Sequence, residues 1–184
     1  TVIHFMDIVR PGRHSRRYMK KVNVIGTRNL LAAAQKAGVK KFFFLSSYQV
    51  YGKVKKTPSR QDDRKKPSTP YGKDKLRCEN MCWLYTKQKQ NKMAITIFRP
   101  ALITGPGIKD PVILTTLYMA LAMDDENRLY LSGTGTNRFQ LLHPDDAVNA
   151  FMLAIKSDKS ASKAYNIGSD NVPTQLEQVV KMKE

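Results

Sequence analysis

Cysteine is scarce in this chain. Cys78 and Cys82 are the only two in 184 residues, so no disulfide framework can be built, and a reducing compartment, with the cytoplasm as default, is the simplest expectation. Long apolar runs are missing too. The best stretch, Ala94 to Ile103, is broken by Arg99 and Pro100 and falls short of the roughly 20 residues that cross a bilayer. No membrane association is expected. Metal-ligand clusters are absent: His4, His14 and His143 are scattered, and two cysteines four apart on a predicted helix read as core thiols. With 10 Gly, 9 Pro, 41% hydrophobic and 26% charged residues, collagen-like, low-complexity and disordered chains are excluded. The length suits one domain of ordinary size. Thr1 to Arg10 lack the basic-then-apolar order of a secretory signal, and the first residue is not Met, so the natural start is expected upstream.

Acidic residues are also few, 15 against 32 basic, for a net charge of +17. Such a field favours polyanions or phosphorylated small molecules. Its densest part is Lys53 to Arg77, with ten basic residues against Asp62, Asp63 and Asp74. Charge runs are usually solvated faces. This one carries no spaced aromatics for stacking bases and no zinc-finger, homeodomain or RNP pattern, so nucleic acid is a possible but disfavoured partner.

Short apolar runs alternate with long amphipathic stretches, the pattern of βα units and a parallel sheet. Strands are predicted at Val2 to Phe5, Phe42 to Leu45, Ala94 to Phe98, Arg128 to Leu131, Arg138 to Leu142 and Ala164 to Ile167. Helices are predicted at Arg17 to Ala37, Tyr71 to Lys89, Val112 to Met123 and Asp145 to Lys156, with a last one from Thr174. In the third of these, Leu117, Met119, Leu121 and Met123 read as core. Ligands of open α/β sheets sit outside the carboxyl ends of the strands. That directs attention to His4 to Asp7, Ser46 to Tyr51 and Arg99 to Ile103.

Tyr71 and Lys75 form Y-x-x-x-K, a spacing that places both side chains on one helix face. A free phenol, with a pKa near ~10, is a poor base, but an adjacent ammonium favours the phenolate. Tyr71 could then serve as acid and base, with Ser47 orienting the substrate oxygen.

The motifs around these residues carry a resemblance. Asn23 to Leu31 reads N-V-I-G-T-R-N-L-L, Gly38 to Phe42 reads G-V-K-K-F, Ser46 to Gly52 reads S-S-Y-Q-V-Y-G, and Ser68 to Lys75 reads S-T-P-Y-G-K-D-K. Phe98-Arg99-Pro100, Gly105-Pro106-Gly107, Asn137 to Asp146 and Tyr165-Asn166-Ile167-Gly168 follow in order. As a set the chain resembles the NAD-dependent epimerase/dehydratase family of extended short-chain dehydrogenases/reductases.

The resemblance implies a Rossmann-type doubly wound parallel sheet, here its C-terminal part, with a small α/β substrate-binding region. Residues 1–110 would belong to the dinucleotide-binding domain, and 111–184 to a mixed substrate-binding region with returning sheet elements. It implies Ser47, Tyr71 and Lys75 as catalytic residues, Phe5, Met6, Ser46, Tyr71, Lys75 and Pro100 as contacts to NAD or NADP, and Tyr48, Gln49, Arg138 and Gln140 as substrate contacts. It also implies a nucleotide-sugar substrate and a homodimer formed through the Tyr71 helix and the helix before it. The family's G-x-x-G-x-x-G turn occurs nowhere in the sequence, and the match begins at the family's fourth strand. The first βα units, and with them the cofactor's phosphate site, are therefore expected to be absent from the chain as given. The Asp-Glu pair that family dehydratases carry after the Ser/Thr is replaced by Tyr48 and Gln49, which favours an epimerase. A reductase, a hydroxysteroid-type dehydrogenase or a non-catalytic RNA-binding relative are the alternatives.

Overall fold

The computed structural model describes residues 1–9, 14–54, 57–90, 92–106, 134–138 and 140–183. The expected helix at Val112 to Met123 with its core residues, the strand at Arg128 to Leu131, Gly107, and Lys55 and Lys56 of the basic run lie outside the described residues. The strands are β1 (Val2–His4), β2 (Lys41–Leu45), β3 (Ala94–Pro100), β4 (Leu102–Ile103), β5 (Leu141–Leu142) and β6 (Ala164–Ile167). The helices are α1 (Arg16–Lys20), α2 (Gly26–Lys36), α3 (Pro70–Thr86), α4 (Pro144–Lys156) and α5 (Gln175–Lys183). Among the described residues no helix is long and apolar enough to cross a membrane. The chain divides into two compact units, Thr1–Pro100 with Asn149–Ile167, and Ala101–Val148 with Gly168–Glu184.

The first unit is built on a parallel sheet of order β1-β2-β3-β6. Strands of such a sheet are covered on both faces and therefore read as continuous apolar runs. Phe42, Phe43 and Phe44 of β2 are all buried for this reason. Phe42 pairs with Ile95 and Phe44 with Ile97, and this face packs against Leu31 and Ala34 of α2 and Cys78 and Cys82 of α3. On the opposite face Phe98 stacks with Phe43 and meets Phe151 of α4 edge-on at 4.4 Å. Helices thus cover both faces of a parallel sheet, the doubly wound arrangement. Strand β3 runs through Arg99 and Pro100, two residues past its expected end, because β6 continues the pairing as Arg99↔Asn166 and Pro100↔Ile167. Proline is tolerated at a strand terminus, where one missing N–H need not interrupt the ladder.

The predicted helix from Arg17 to Ala37 forms, but with a π turn at Lys21–Ile25 between α1 and α2. The turn's Asn23 side chain accepts from Ile8 N at 2.7 Å and donates to Ile8 O at 2.9 Å. Its carbonyl receives the Thr27 hydroxyl at 2.6 Å and the Cys78 thiol at 3.4 Å. The irregular turn is fully partnered and ties the segment after β1 to the helix. Helix α3 starts where Thr69 caps Gly72 N at 3.0 Å, with Pro70 in the first helical position. It ends at Thr86, short of Lys89; there the Thr86 hydroxyl bonds Trp83 O at 2.8 Å, the local competition that disfavours threonine inside helices.

A buried ionic network fixes α3 to the sheet. Glu79 accepts from Arg99 Nε and Nη2, both at 2.8 Å, and from the Ser46 hydroxyl at 2.5 Å. Arg99 Nη1 donates to Tyr51 Oη at 2.8 Å and Gln61 O at 2.9 Å, and the Tyr51 hydroxyl donates to Asn166 Oδ1 at 2.7 Å. The two charged side chains are 1% and 2% exposed, which makes this bond set obligatory rather than decorative.

In the second unit β4 and β5 pair in parallel. Helix α5 begins with a reciprocal cap, Glu177 N to Thr174 Oγ1 at 3.1 Å and Thr174 N to Glu177 Oε2 at 2.6 Å.

Replacing Glu79 with Gln should leave a buried guanidinium without its counter-charge and cost about 3–5 kcal/mol. Urea unfolding reads this as a lower midpoint at unchanged slope; a loss under about 1 kcal/mol would contradict the anchoring role. Burial pushes the Cys78 thiol up to about 11 and the Cys82 thiol higher still. Both should stay unreactive toward a disulfide reagent near neutral pH in the folded protein and react only after denaturation.

Candidate active site

Ser47, Tyr71 and Lys75 lie in the first unit. Ser47 follows β2, is buried, and caps the 3-10 turn Tyr48–Val50 by accepting from Gln49 N at 3.2 Å. The first turn of α3 lies directly against this turn. A Cβ on Gly72 would stand 2.6 Å from Gln49 O, so only glycine permits the approach. Thr69 Oγ1 adds a bond to Gln49 Oε1 at 2.7 Å. The loop carrying Ser47 and the helix carrying Tyr71 and Lys75 are thereby locked together.

Tyr71 and Lys75 converge on a residue to which the sequence reading gave no role. The Tyr71 hydroxyl donates to Asp7 Oδ2 at 2.9 Å, and Lys75 Nζ lies 2.5 Å from the same oxygen. Lys75 also donates to Leu45 O at 2.5 Å, and its ammonium stands 5.0 Å from the Phe44 ring centre and 5.6 Å from that of Tyr71. Lys75 is 5% exposed and Asp7 13%. The backbone just beyond Asp7 is held by Asn23 through both polar groups of Ile8. His4, at the end of β1, is buried with Nε2 at 2.8 Å from Thr27 Oγ1. The Thr27 proton is already given to Asn23 O, which puts the His4 proton on Nε2. Burial, and then the Lys75 charge, lower the His4 pKa and keep the ring neutral.

The expected lowering of the Tyr71 pKa by Lys75 is outweighed here. The Tyr71 pKa is raised well above its ordinary value, first by burial, then by the Asp7 charge and the hydrogen bond to it. The ammonium that should favour a phenolate is neutralised by a carboxylate that also faces the phenol.

The other expected site residues are dispersed. Phe5 rests its ring on Phe151 at 4.7 Å, and Met6 is 70% exposed. The Ser46 hydroxyl is committed to Glu79, and Pro100 is buried at the end of β3. Tyr48 is exposed, while the Gln49 side chain is held by Thr69. In the second unit, Arg138 Nη1 donates to Val172 O at 2.6 Å and Gln140 Nε2 to Ser169 O at 2.9 Å. Glu79 is the residue sequence reasoning passed over, while Asp7 and Arg99 lie in strand-end segments it singled out without giving them a role. Their signal is an ionisable group inside an apolar pattern: Asp7 within Ile3 to Val9, Arg99 within a buried strand, and Glu79 one helical turn beyond Lys75.

Residues 1–168 match the family described as the NAD dependent epimerase/dehydratase family. The dTDP-D-glucose 4,6-dehydratase of Bos taurus is 30% identical over 149 residues, covering 81% of this chain and 41% of that protein. The N-acetyl-alpha-D-glucosaminyl-diphospho-ditrans,octacis-undecaprenol 4-epimerase of Escherichia coli O157:H7 is 31% identical over 145 residues, covering 79% and 42%. Among solved structures, UDP-glucose 4-epimerase from Thermotoga maritima, with UDP-glucose, superposes with a TM-score of 0.81 at 26% identity over 98% of this chain and 59% of that one. MoeE5 in complex with UDP-glucose and NAD gives a TM-score of 0.80 at 26% identity, covering 98% and 60%. The chain spans about two-fifths of the length of these curated relatives. By motif order, by the doubly wound parallel sheet and by this match, the chain belongs to the NAD-dependent epimerase/dehydratase family.

Proposed function

We propose that the complete protein is an NAD-dependent nucleotide-sugar epimerase that works by reversible oxidation of a substrate hydroxyl, with Tyr71 exchanging the proton. The observation that carries this is the convergence of the Tyr71 hydroxyl and the Lys75 ammonium on one point, beyond the carboxyl ends of β1 and β2. That is where open α/β sheets take their ligands.

The residues present fit a nicotinamide nucleotide. Lys75 supplies a buried ammonium for ribose hydroxyls, Tyr71 a hydroxyl beside it, and Phe5 and Met6 exposed apolar surface just ahead of Asp7. When bound, NAD supplies the hydride acceptor and later the hydride donor. Tyr71 takes the proton of the substrate hydroxyl and gives it back. Ser47, at the end of the β2 loop, aligns that hydroxyl. Lys75 fixes the electrostatics around both. MoeE5, solved with NAD, supports NAD over NADP.

Epimerisation is favoured over dehydration because the two residues after Ser47 are Tyr48 and Gln49, neither of them an acid, and Gln49 is occupied by Thr69. Exposed Leu84 on α3, with Trp83 beside it in sequence, supports a dimer through the helix that carries Tyr71.

The test uses the complete protein with NAD and a panel of UDP- and dTDP-linked sugars, following interconversion of epimers. Tyr71→Phe should lower turnover by about 10²–10⁴-fold without shifting the thermal midpoint. A Tyr71→Phe variant that turns over normally would refute the assignment.

A further inference from the structure

Ser47 sits on a turn that is gripped at both ends by the two members of one ion pair. At the entry, the Ser46 hydroxyl donates to Glu79 Oε1 at 2.5 Å and Ser46 N donates to Phe98 O at 2.7 Å. At the exit, Tyr51 closes the turn with its own N–H on Tyr48 O at 3.1 Å. Its hydroxyl accepts from Arg99 Nη1 at 2.8 Å and donates to Asn166 Oδ1 at 2.7 Å. Glu79 and Arg99 are themselves joined by two bonds of 2.8 Å. We propose that Tyr51 is a positioning residue for the reaction. It acts through Ser47, by fixing the far end of the turn so that the Ser47 hydroxyl meets the substrate oxygen in one place. The inference deepens the epimerase reading and rests on the role given there to Ser47.

The bonding of Tyr51 goes beyond core packing. A phenol hydroxyl has one proton to give and lone pairs to accept with, and here both directions are used by partners on two paired strands, Arg99 of β3 and Asn166 of β6. The buried ring also lies beneath the guanidinium, with Arg99 Cζ 5.4 Å from its centre. Two directional bonds and a cation over the ring define one orientation, where an apolar contact would leave the ring free to slide. The turn needs such support. It is a single 3-10 turn closed by Val50 N on Ser47 O at 3.2 Å and Tyr51 N on Tyr48 O at 3.1 Å, and the bonds of so short a piece have poor geometry. Ser47 itself depends on it. Its oxygen accepts from Gln49 N at 3.2 Å within the same turn, so the hydroxyl proton remains to be donated, and its direction follows the turn.

Removing only the Tyr51 hydroxyl leaves the rest of the network in place. Arg99 keeps both bonds to Glu79 and the one to Gln61 O at 2.9 Å, and Asn166 Nδ2 keeps Ser59 O at 3.1 Å. The change therefore falls on the turn. Displacing a substrate-aligning group by about 1 Å is enough to cost about 10²-fold in rate.

The test is a double-mutant cycle on the complete protein with NAD and the same sugar panel, joining Tyr51→Phe to Ser47→Ala. Alone, Tyr51→Phe should lower kcat by about 10–10²-fold, with KM and the affinity for NAD little changed. In the Ser47→Ala background it should lower kcat by less than about twofold, because the group through which it acts is gone. A merely structural tyrosine would lower turnover by the same factor in both backgrounds. Ser46→Ala, at the other end of the turn, should show the same dependence on Ser47, and it decides the matter if Tyr51→Phe does not fold. Equal losses with and without Ser47, or no loss from either variant, overturn the positioning role alone. Undiminished turnover by Ser47→Ala overturns the role given to Ser47 and the inference with it.

Discussion

The bidentate pair between Glu79 and Arg99 sets the rotation of the helix that carries Tyr71 and Lys75. Tyr71, Lys75 and Glu79 recur every four residues along α3 and so share a helix face. Fixing Glu79 onto a strand residue fixes the rotation of the helix, and with it the direction in which the phenol and the ammonium point. The pair is expensive to bury. Four of the five Arg99 N–H groups are used by Glu79, Tyr51 and Gln61, and Glu79 also receives Ser46. Such completeness offsets desolvation without adding much net stability. What it contributes is a single orientation of α3, which an apolar contact of equal area would define less sharply.

A second constraint acts from the other side of the site. The π turn at Lys21–Ile25 lets Asn23 grip both backbone groups of Ile8 while Thr27 and Cys78 satisfy its own carbonyl. The segment after β1 is therefore placed by a helix rather than by a further strand, and Asp7 is delivered to the point that α3 presents. Two independently anchored elements meet there. The result is an assembly of an ammonium, a carboxylate and a phenol in direct contact.

Much of this was legible in the sequence. The strands at Val2, Phe42, Ala94 and Ala164 follow from apolar runs punctuated by Gly and Pro, and β6 at Ala164–Ile167 coincides with its expected span. The four-residue spacing of Tyr71 and Lys75 by itself places them on one helix face. Less legible were features that depend on partners distant in sequence. The π turn leaves the apolar spacing of Val22, Ile25 and Leu30 intact, so periodicity cannot reveal it. The strand β4 at Leu102–Ile103, directly after a proline, is too short for a pattern. The raised Tyr71 pKa required knowing that Asp7, 64 residues away, shares the Lys75 charge. A local motif reports which groups are adjacent on a helix and is silent on what the rest of the chain brings opposite them.

The basic run illustrates the same point at larger scale. Read along the chain, Lys53 to Arg77 is a dense cationic stretch. In the fold its members separate by role: Lys75 is buried against Asp7, Arg77 joins Arg16 on the buried Asp74, and Lys65 donates to Gln61 O and Asp63 O. Among the described residues of the run, Lys53, Arg60, Arg64, Lys66 and Lys73 are exposed, as is Arg77. At physiological salt their individual fields decay over about 8 Å, so they can bias the approach of an anionic nucleotide without selecting it. A net charge of +17 is thus an argument about encounter, whereas Asp7, Tyr71 and Lys75, whose charges sum to zero, are held by short-range contacts.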